Sequence, residues 1–205
     1  TRYNEYEDGL YHMTDENYHS LYWNRTAIKD GQHRRHKLLV RGCTRRLIKE
    51  DITPEDEIVV TMGDDKTVYA LGTETIDPSP KSQAITITSG MIDINQDFDY
   101  SQYTWSISAV TGGYQLQPYG TTQYLYGVAS YITISSNPTT FSIFTSPENG
   151  NKCFMYTIEY TPYYLGHGTD DGQTAWKRFP SSTNLLKSNT LKFYKKACLP
   201  ANKFW

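Results

Sequence analysis

Gln123-Tyr124-Leu125-Tyr126-Gly127, then Tyr131-Ile132-Thr133-Ile134-Ser135, then Thr140-Phe141-Ser142-Ile143-Phe144 is the stretch on which the fold turns. Each segment is short, alternates in character and is rich in β-branched or aromatic residues, the pattern of a half-buried strand. Gly, Pro, Ser and Asn fill the gaps, as turns require. Just upstream, Gly113-Tyr114-Gln115-Leu116-Gln117 supplies another strand, which the turn Pro118-Tyr119-Gly120 ends. These four strands form one unit, and the search for internal repeats finds it again on both sides.

The upstream copy reads Glu57-Ile58-Val59-Val60-Thr61-Met62, a turn at Gly63-Asp64-Asp65, then Val68-Tyr69-Ala70-Leu71-Gly72, Ala84-Ile85-Thr86-Ile87-Thr88 and Tyr103-Thr104-Trp105-Ser106-Ile107. Downstream stand Phe154-Met155-Tyr156-Thr157-Ile158-Glu159, a turn at Thr161-Pro162, then Tyr163-Tyr164-Leu165-Gly166, Ala175-Trp176-Lys177-Arg178-Phe179 and Leu191-Lys192-Phe193-Tyr194-Lys195. In each copy the second strand carries Tyr and Leu and ends in Gly. No segment between residues 57 and 197 has the i, i+3, i+4, i+7 apolar spacing of an amphipathic helix. The sequence predicts an all-β protein of twelve strands, four per unit.

Composition agrees with a folded chain. Of 205 residues, 14% are aromatic, including 18 Tyr, and 20% are charged, which excludes a disordered acidic or basic chain. A length of this order suits one β domain with additions. The net charge of -2 excludes a strongly basic nucleic-acid binder. Residues 1–50 nevertheless hold ten Lys/Arg against seven Asp/Glu, and residues 51–205 hold ten against fifteen. No apolar run reaches the length of a membrane span, and Thr1, with Tyr3, Asn4 and Glu5 close behind, does not open a signal peptide, so a processed chain is expected. Three cysteines, Cys43, Cys153 and Cys198, allow at most one disulfide, and none is spaced for a Cys-x-x-Cys site.

With three four-stranded units the chain resembles the β-trefoil, in which the units share a pseudo-threefold axis and six strands close a barrel capped by three hairpins. The resemblance covers about residues 50–197 and is clearest where Tyr124-Leu125 answers Phe141-Ser142-Ile143; the third unit is stretched. It implies a closed barrel over residues 51–205, with residues 1–50 as an N-terminal aromatic and basic arm packed on it. Closure also removes the exposed edges that a strand-rich, weakly charged chain would otherwise present. A two-sheet sandwich uses the same kind of strands and is the competing architecture. Asp51-Ile52-Thr53-Pro54-Glu55-Asp56-Glu57-Ile58-Val59-Val60, Tyr69-Ala70-Leu71-Gly72, Tyr103-Thr104-Trp105 and Leu191-Lys192-Phe193-Tyr194-Lys195-Lys196 are similar to modules of secreted and surface proteins of gut bacteria. That similarity implies an exported, lectin-like accessory domain that binds, at the cell surface or beyond it.

Within the arm, Tyr3, Tyr6, Tyr11, Tyr18, Tyr22 and Trp23 follow no clear period and read as an irregular segment or hairpin packing aromatics onto the barrel. Asn24-Arg25-Thr26 fits the N-glycosylation pattern; Asn137-Pro138-Thr139 fails it through its proline. Residues 29–49 carry eight Lys/Arg, with His33-Arg34-Arg35-His36-Lys37 contiguous, a density able to contact a polyanion. Leu38-Leu39-Val40 and Leu47-Ile48 read instead as strands whose charged positions face water.

Catalytic and metal signatures are absent from the sequence. The five His residues form no His-Glu-x-x-His pattern, no Gly-x-Ser-x-Gly elbow occurs, and Gly112-Gly113 and Gly166-His167-Gly168 lack the helix and lysine of a phosphate loop. Asp64-Asp65, Asp97-Phe98-Asp99 and Asp170-Asp171 read as turn formers rather than glycosidase carboxylates. The reading is therefore a non-enzyme without cofactor. Binding fits better, because Tyr and Trp faces stack on sugar rings while Asp, Asn and Gln take their hydroxyls. The candidate ligand residues are His167, Asp170, Asp171, Gln173 and Trp176 in one loop, and Tyr119, Tyr126 and Tyr131 in the middle unit. Ricin-type sugar-binding trefoils carry Gln-x-Trp; Gln173-Thr174-Ala175-Trp176 is one residue too long. Trp176 thus has two readings, a sugar platform or a filler of the barrel like Trp105. A glycan binder should expose Trp176 and Tyr126 beside a polar cleft, whereas a structural or receptor-binding domain that contacts protein partners, as in a viral spike or a bacterial surface protein, should bury them in a broad interface.

Overall fold

The computed structural model describes residues 8–12, 20–24, 37–41, 44–50, 54, 57–76, 78–93 and 98–199. Among them there is no α-helix; the chain is all-β, built of several antiparallel sheets. It divides into two compact units, residues 1–46 with 197–205, and residues 47–196.

In the first unit, β1 (Asp8–His12), β2 (Ser20–Asn24) and β3 (Lys37–Arg41) form an antiparallel meander. Its register sets Leu10 opposite Tyr22 and Tyr22 opposite Leu39. β3 contains Leu38-Leu39-Val40, read above as a strand, and β4 (Thr44–Glu50) contains Leu47-Ile48. The remainder of the arm, including Tyr3, Tyr6, Tyr18, the run His33-Arg34-Arg35-His36 and Cys43, lies outside the described residues. So do the side chains of the expected polyanion stretch.

The second unit carries the repeated strands. In chain order they are β5 (Ile58–Gly63), β6 (Thr67–Ile76), β7 (Ser79–Thr86), β8 (Met91–Asp93), β9 (Thr104–Val110), β10 (Gly113–Pro118), β11 (Tyr124–Gly127), β12 (Ile132–Ser135), β13 (Ser142–Thr145), β14 (Lys152–Ile158), β15 (Thr161–Asp170), β16 (Gln173–Phe179) and β17 (Thr190–Leu199). Each of the twelve segments quoted above overlaps one of them; β8 has no counterpart in that reading. A 3-10 turn, Tyr100–Tyr103, precedes β9 and is capped by the Asp99 carboxylate, which accepts from the Ser101 amide.

One sheet runs β10-β9-β5-β17-β4-β8, with β6 joined to β5 and β7 to β6. β11 pairs with β12, and β13-β14-β15-β16 form a further sheet. A single bridge links the first and last of these: Tyr114 and Phe141 exchange backbone hydrogen bonds of 2.8 Å. The last strand returns to the first, β17 pairing β5 from Thr190↔Gly63 to Lys195↔Ile58. The ladders found do not close into a barrel. Between β14 and β17, where no ladder is found among the described residues, the Lys152 amide donates to Thr190 Oγ1 at 2.9 Å, and the Phe154 and Phe193 rings meet edge to face at 5.9 Å.

β5 shows why a short run that is apolar but for Thr61 becomes the central strand, buried along its whole length. Ile58, Val60 and Met62 point into a large core with Leu71, Trp105, Ile107, Leu116, Leu125, Phe141, Phe154, Leu165, Trp176 and Phe193. Val59 points the other way, into a smaller cluster with Val68, Ala70, Ile92, Phe98, Tyr103 and Tyr194. Strands buried on both faces lose the apolar–polar alternation of half-buried ones. Leu71, Leu125 and Leu165 are all fully buried, one from each repeat. The glycines ending those segments are packing choices: a Cβ on Gly72 would lie 2.6 Å from Lys81 Cβ, one on Gly127 2.6 Å from the Tyr156 ring, and one on Gly166 2.5 Å from Met62 Sδ. Cys153 is a free thiol sealed in the core, and burial pushes its pKa up to about 12. A thiol so held is a poor nucleophile.

Candidate functional site

The third repeat's hairpin, β15 with β16, lays His167 directly opposite Trp176. Strand alternation sends both side chains inward, where Trp176 is fully buried and His167 is 4% exposed. Their rings meet edge to face at 6.1 Å. On its other side His167 stacks on Tyr69 of β6, with ring centroids 3.9 Å apart and planes within 11°. The His167 amide donates to Met62 Sδ at 3.2 Å, tying this hairpin to the central strand. Three aromatic rings from two repeats thus stand in series from the core outward, and the half-buried Tyr69 is the one that reaches solvent.

Tyr69 and His167 form part of the lining of a cleft of about 500 Å³. Asp64 and Thr67 line it from the β5–β6 turn, Gly168, Thr169 and Thr174 from the hairpin, and Phe179, Asn184, Leu185 and Asn189 from β16 and the following loop. That size falls in the range, roughly 300 to 1,000 Å³, of pockets that hold small molecules. Leu185 and Phe179 are buried and give an apolar base, while Asn184 is exposed and Asn189 half-buried, so their amides are open to a ligand. The Thr169 and Thr174 hydroxyls bond each other at 2.6 Å across the hairpin.

Asp64 is the single carboxylate among the lining residues. Its Oδ1 accepts from the amides of Thr67 at 2.7 Å and Lys66 at 2.8 Å, which closes the turn. Those two bonds, Thr67's first, hold the exposed carboxyl below its usual pKa. Behind the turn, Lys192 of β17 is 3% exposed, and its ammonium donates to the Asp64 carbonyl and to Asp65 Oδ1 at 2.9 Å. Burial lowers the pKa of His167 to about 4, so its ring is neutral at physiological pH.

Of the residues singled out from sequence, His167 lines this cleft. Trp176 does not; it is a core residue behind His167, because the strand register turns it inward. Asp170 and Gln173 face each other at the end of the hairpin, and Asp171, with φ 50°, shapes the turn with Gly172; none of the three lines the cleft. In the middle unit Tyr119 and Tyr131 are exposed and Tyr126 is half-buried, and no ring contact joins them among the described residues. Asp99 and Asp64 serve turns, in keeping with that reading of the paired acids; Asp97 lies outside the described residues.

Tyr69, Asp64, Asn184 and Asn189 were not singled out as ligand residues. Tyr69 and Asp64 read as strand and turn residues, and only the polar composition of Ser181–Asn189 marks that loop. Among the described residues no group of three or more His, Cys, Asp or Glu stands ready for a metal ion, and no helix is long and apolar enough to cross a membrane. Comparison with protein-family models, with curated proteins and with solved structures returned no match.

Proposed function

We propose that residues 51–205 form a β-trefoil-like recognition module that binds carbohydrate at the Tyr69 cleft without catalysing a reaction. The order of pairings supports that architecture: β5 with β9, β9 with β10, β10 with β13 through the Tyr114–Phe141 bridge, β13 with β14, and β17 back to β5. These are the first and fourth strands of three successive repeats. The second and third strands of each repeat pair as hairpins, β6–β7, β11–β12 and β15–β16. A trefoil would add a β14–β17 ladder. The similarity of residues 51–60, 69–72, 103–105 and 191–196 to exported bacterial modules supports an extracellular setting, secreted or on the cell surface.

The observation that carries the sugar reading is the Tyr69 ring backed by His167 and flanked by Asp64, Asn184 and Asn189. A rigid aromatic face packs against the apolar face of a pyranose, and amides and a carboxylate take its hydroxyls. Because His167 and Trp176 are packed behind it, Tyr69 loses little conformational freedom on binding. Glycan-array screening followed by calorimetry on the best oligosaccharide tests this. Tyr69→Ala is expected to weaken binding by about tenfold or more, in line with roughly 0.5–1.5 kcal/mol for the ring contact plus lost burial. An array silent for the intact protein overturns the reading.

A protein-contacting role has its own observation. Tyr160 is 99% exposed at the β14–β15 turn, and Ile76, Tyr119 and Tyr131 are also exposed. Tyr is enriched at protein interfaces. Capture of one protein partner, lost in Tyr160→Ser and kept in Tyr69→Ala, would favour that role.

A further inference from the structure

We propose that the Tyr69 cleft selects its sugar by charge, accepting uncharged or amine-bearing rings and excluding those with carboxylate or sulfate groups. This rests on the carbohydrate reading above and adds the ligand's chemical class. It follows from where the charges around the cleft are used. Asp64 is anchored through Oδ1 by two backbone amides, and its second oxygen makes no hydrogen bond among the described residues. The carboxylate is therefore fixed in place with one oxygen left to accept from a ligand hydroxyl or ammonium.

Among the described residues no lysine or arginine lines the cleft. The ammonium of Lys192 is bonded to the Asp64 carbonyl and to the Asp65 carboxylate, and its stem is buried, so it cannot swing toward a ligand. Lys66 stands exposed in the same turn but is not a wall of the cleft. Thr67, Thr169, Thr174, Asn184 and Asn189 are neutral, and His167 is packed between two aromatic rings. An anionic sugar would meet the fixed carboxylate at the cleft wall, while the ammonium groups of Lys192 and Lys66 that attract this carboxylate stand off the wall, whereas a protonated amine finds a ready partner. At an exposed carboxylate such a pairing shifts affinity by no more than about fivefold.

Three oligosaccharide series on one ring skeleton test this by calorimetry at low salt: neutral glucose oligomers, glucosamine oligomers with protonated amines, and glucuronate oligomers. The expected order is amine at least as tight as neutral, with glucuronate about two- to fivefold weaker than neutral. Asp64→Asn keeps an Oδ1 acceptor for the turn and removes the charge, so it should bring the three series together while the melting curve stays in place. Added salt should narrow the wild-type spread. Glucuronate binding as well as glucose, or an order unchanged in Asp64→Asn, overturns the charge selection and leaves the sugar site standing. Binding that survives Tyr69→Ala, or no binding in any series, overturns the site itself and this inference with it.

Discussion

Trp105 in the first repeat and Trp176 in the third are both fully buried in one core, yet their polar edges meet different fates. Trp105 donates its indole N–H to the Leu71 carbonyl at 2.8 Å. Trp176 has no acceptor for its own N–H among the described residues and meets His167 edge to face instead. A stranded buried donor costs about 1–3 kcal/mol, and buried polar groups are almost always paired. The first repeat obeys that rule; the third breaks it beneath the Tyr69 cleft. Departures from local consistency concentrate where a molecule works, and here the departure belongs to the ring series that backs Tyr69.

Truncation gives the largest test of this comparison. Trp105→Ala and Trp176→Ala should each lose about 3–5 kcal/mol in urea unfolding, the usual cost of emptying a large aromatic site in a core. A Trp176→Ala protein as stable as the parent would return Trp176 to the surface and undo the contrast.

Acid should act through the third repeat. The folded pKa of His167, about 4, lies below its unfolded value of 6.5, so between those limits the unfolded chain binds the proton first. Its contribution is complete above pH 6.5, erodes as pH falls and is fully lost below about 4, on the order of 3 kcal/mol in all. Urea midpoints measured across that window should fall in the parent and fall less in His167→Phe, whose ring can still stack on Tyr69. Equal slopes in both proteins would remove His167 as the acid-sensitive group.

The smallest effect is the most discriminating. Trp105→Phe removes the hydrogen bond to the Leu71 carbonyl as well as shrinking the side chain, whereas Trp176→Phe deletes a donor without a partner among the described residues. The first should therefore be the more destabilising by about 1 kcal/mol. Equal losses would mean that Trp176 Nε1 is satisfied in solution, for instance by a buried water.

The strands were legible because a period of two, β-branched and aromatic residues, and Gly, Pro and Asp at the turns are all local signals. Even the degenerate Ala175-Trp176-Lys177-Arg178-Phe179 falls within β16. Lengths were less legible: β6, β15 and β17 each run to ten residues, beyond the segments read, because ladder partners extend them past their apolar centres. Of the site, His167 was visible and Tyr69 was not. Trp176 had two readings, and its inward register made it core.

By itself the chain determined an all-β protein with four-strand units repeated three times, since alternation and turn chemistry act over a few residues. Only tertiary structure decided which rings stack and which charges are spent. Tyr69 meets His167 across ninety-odd residues of chain, and Lys192 crosses from β17 to satisfy the turn at Asp64 and Asp65. Such encounters depend on how hairpins from different repeats pack together, which no short-range pattern encodes.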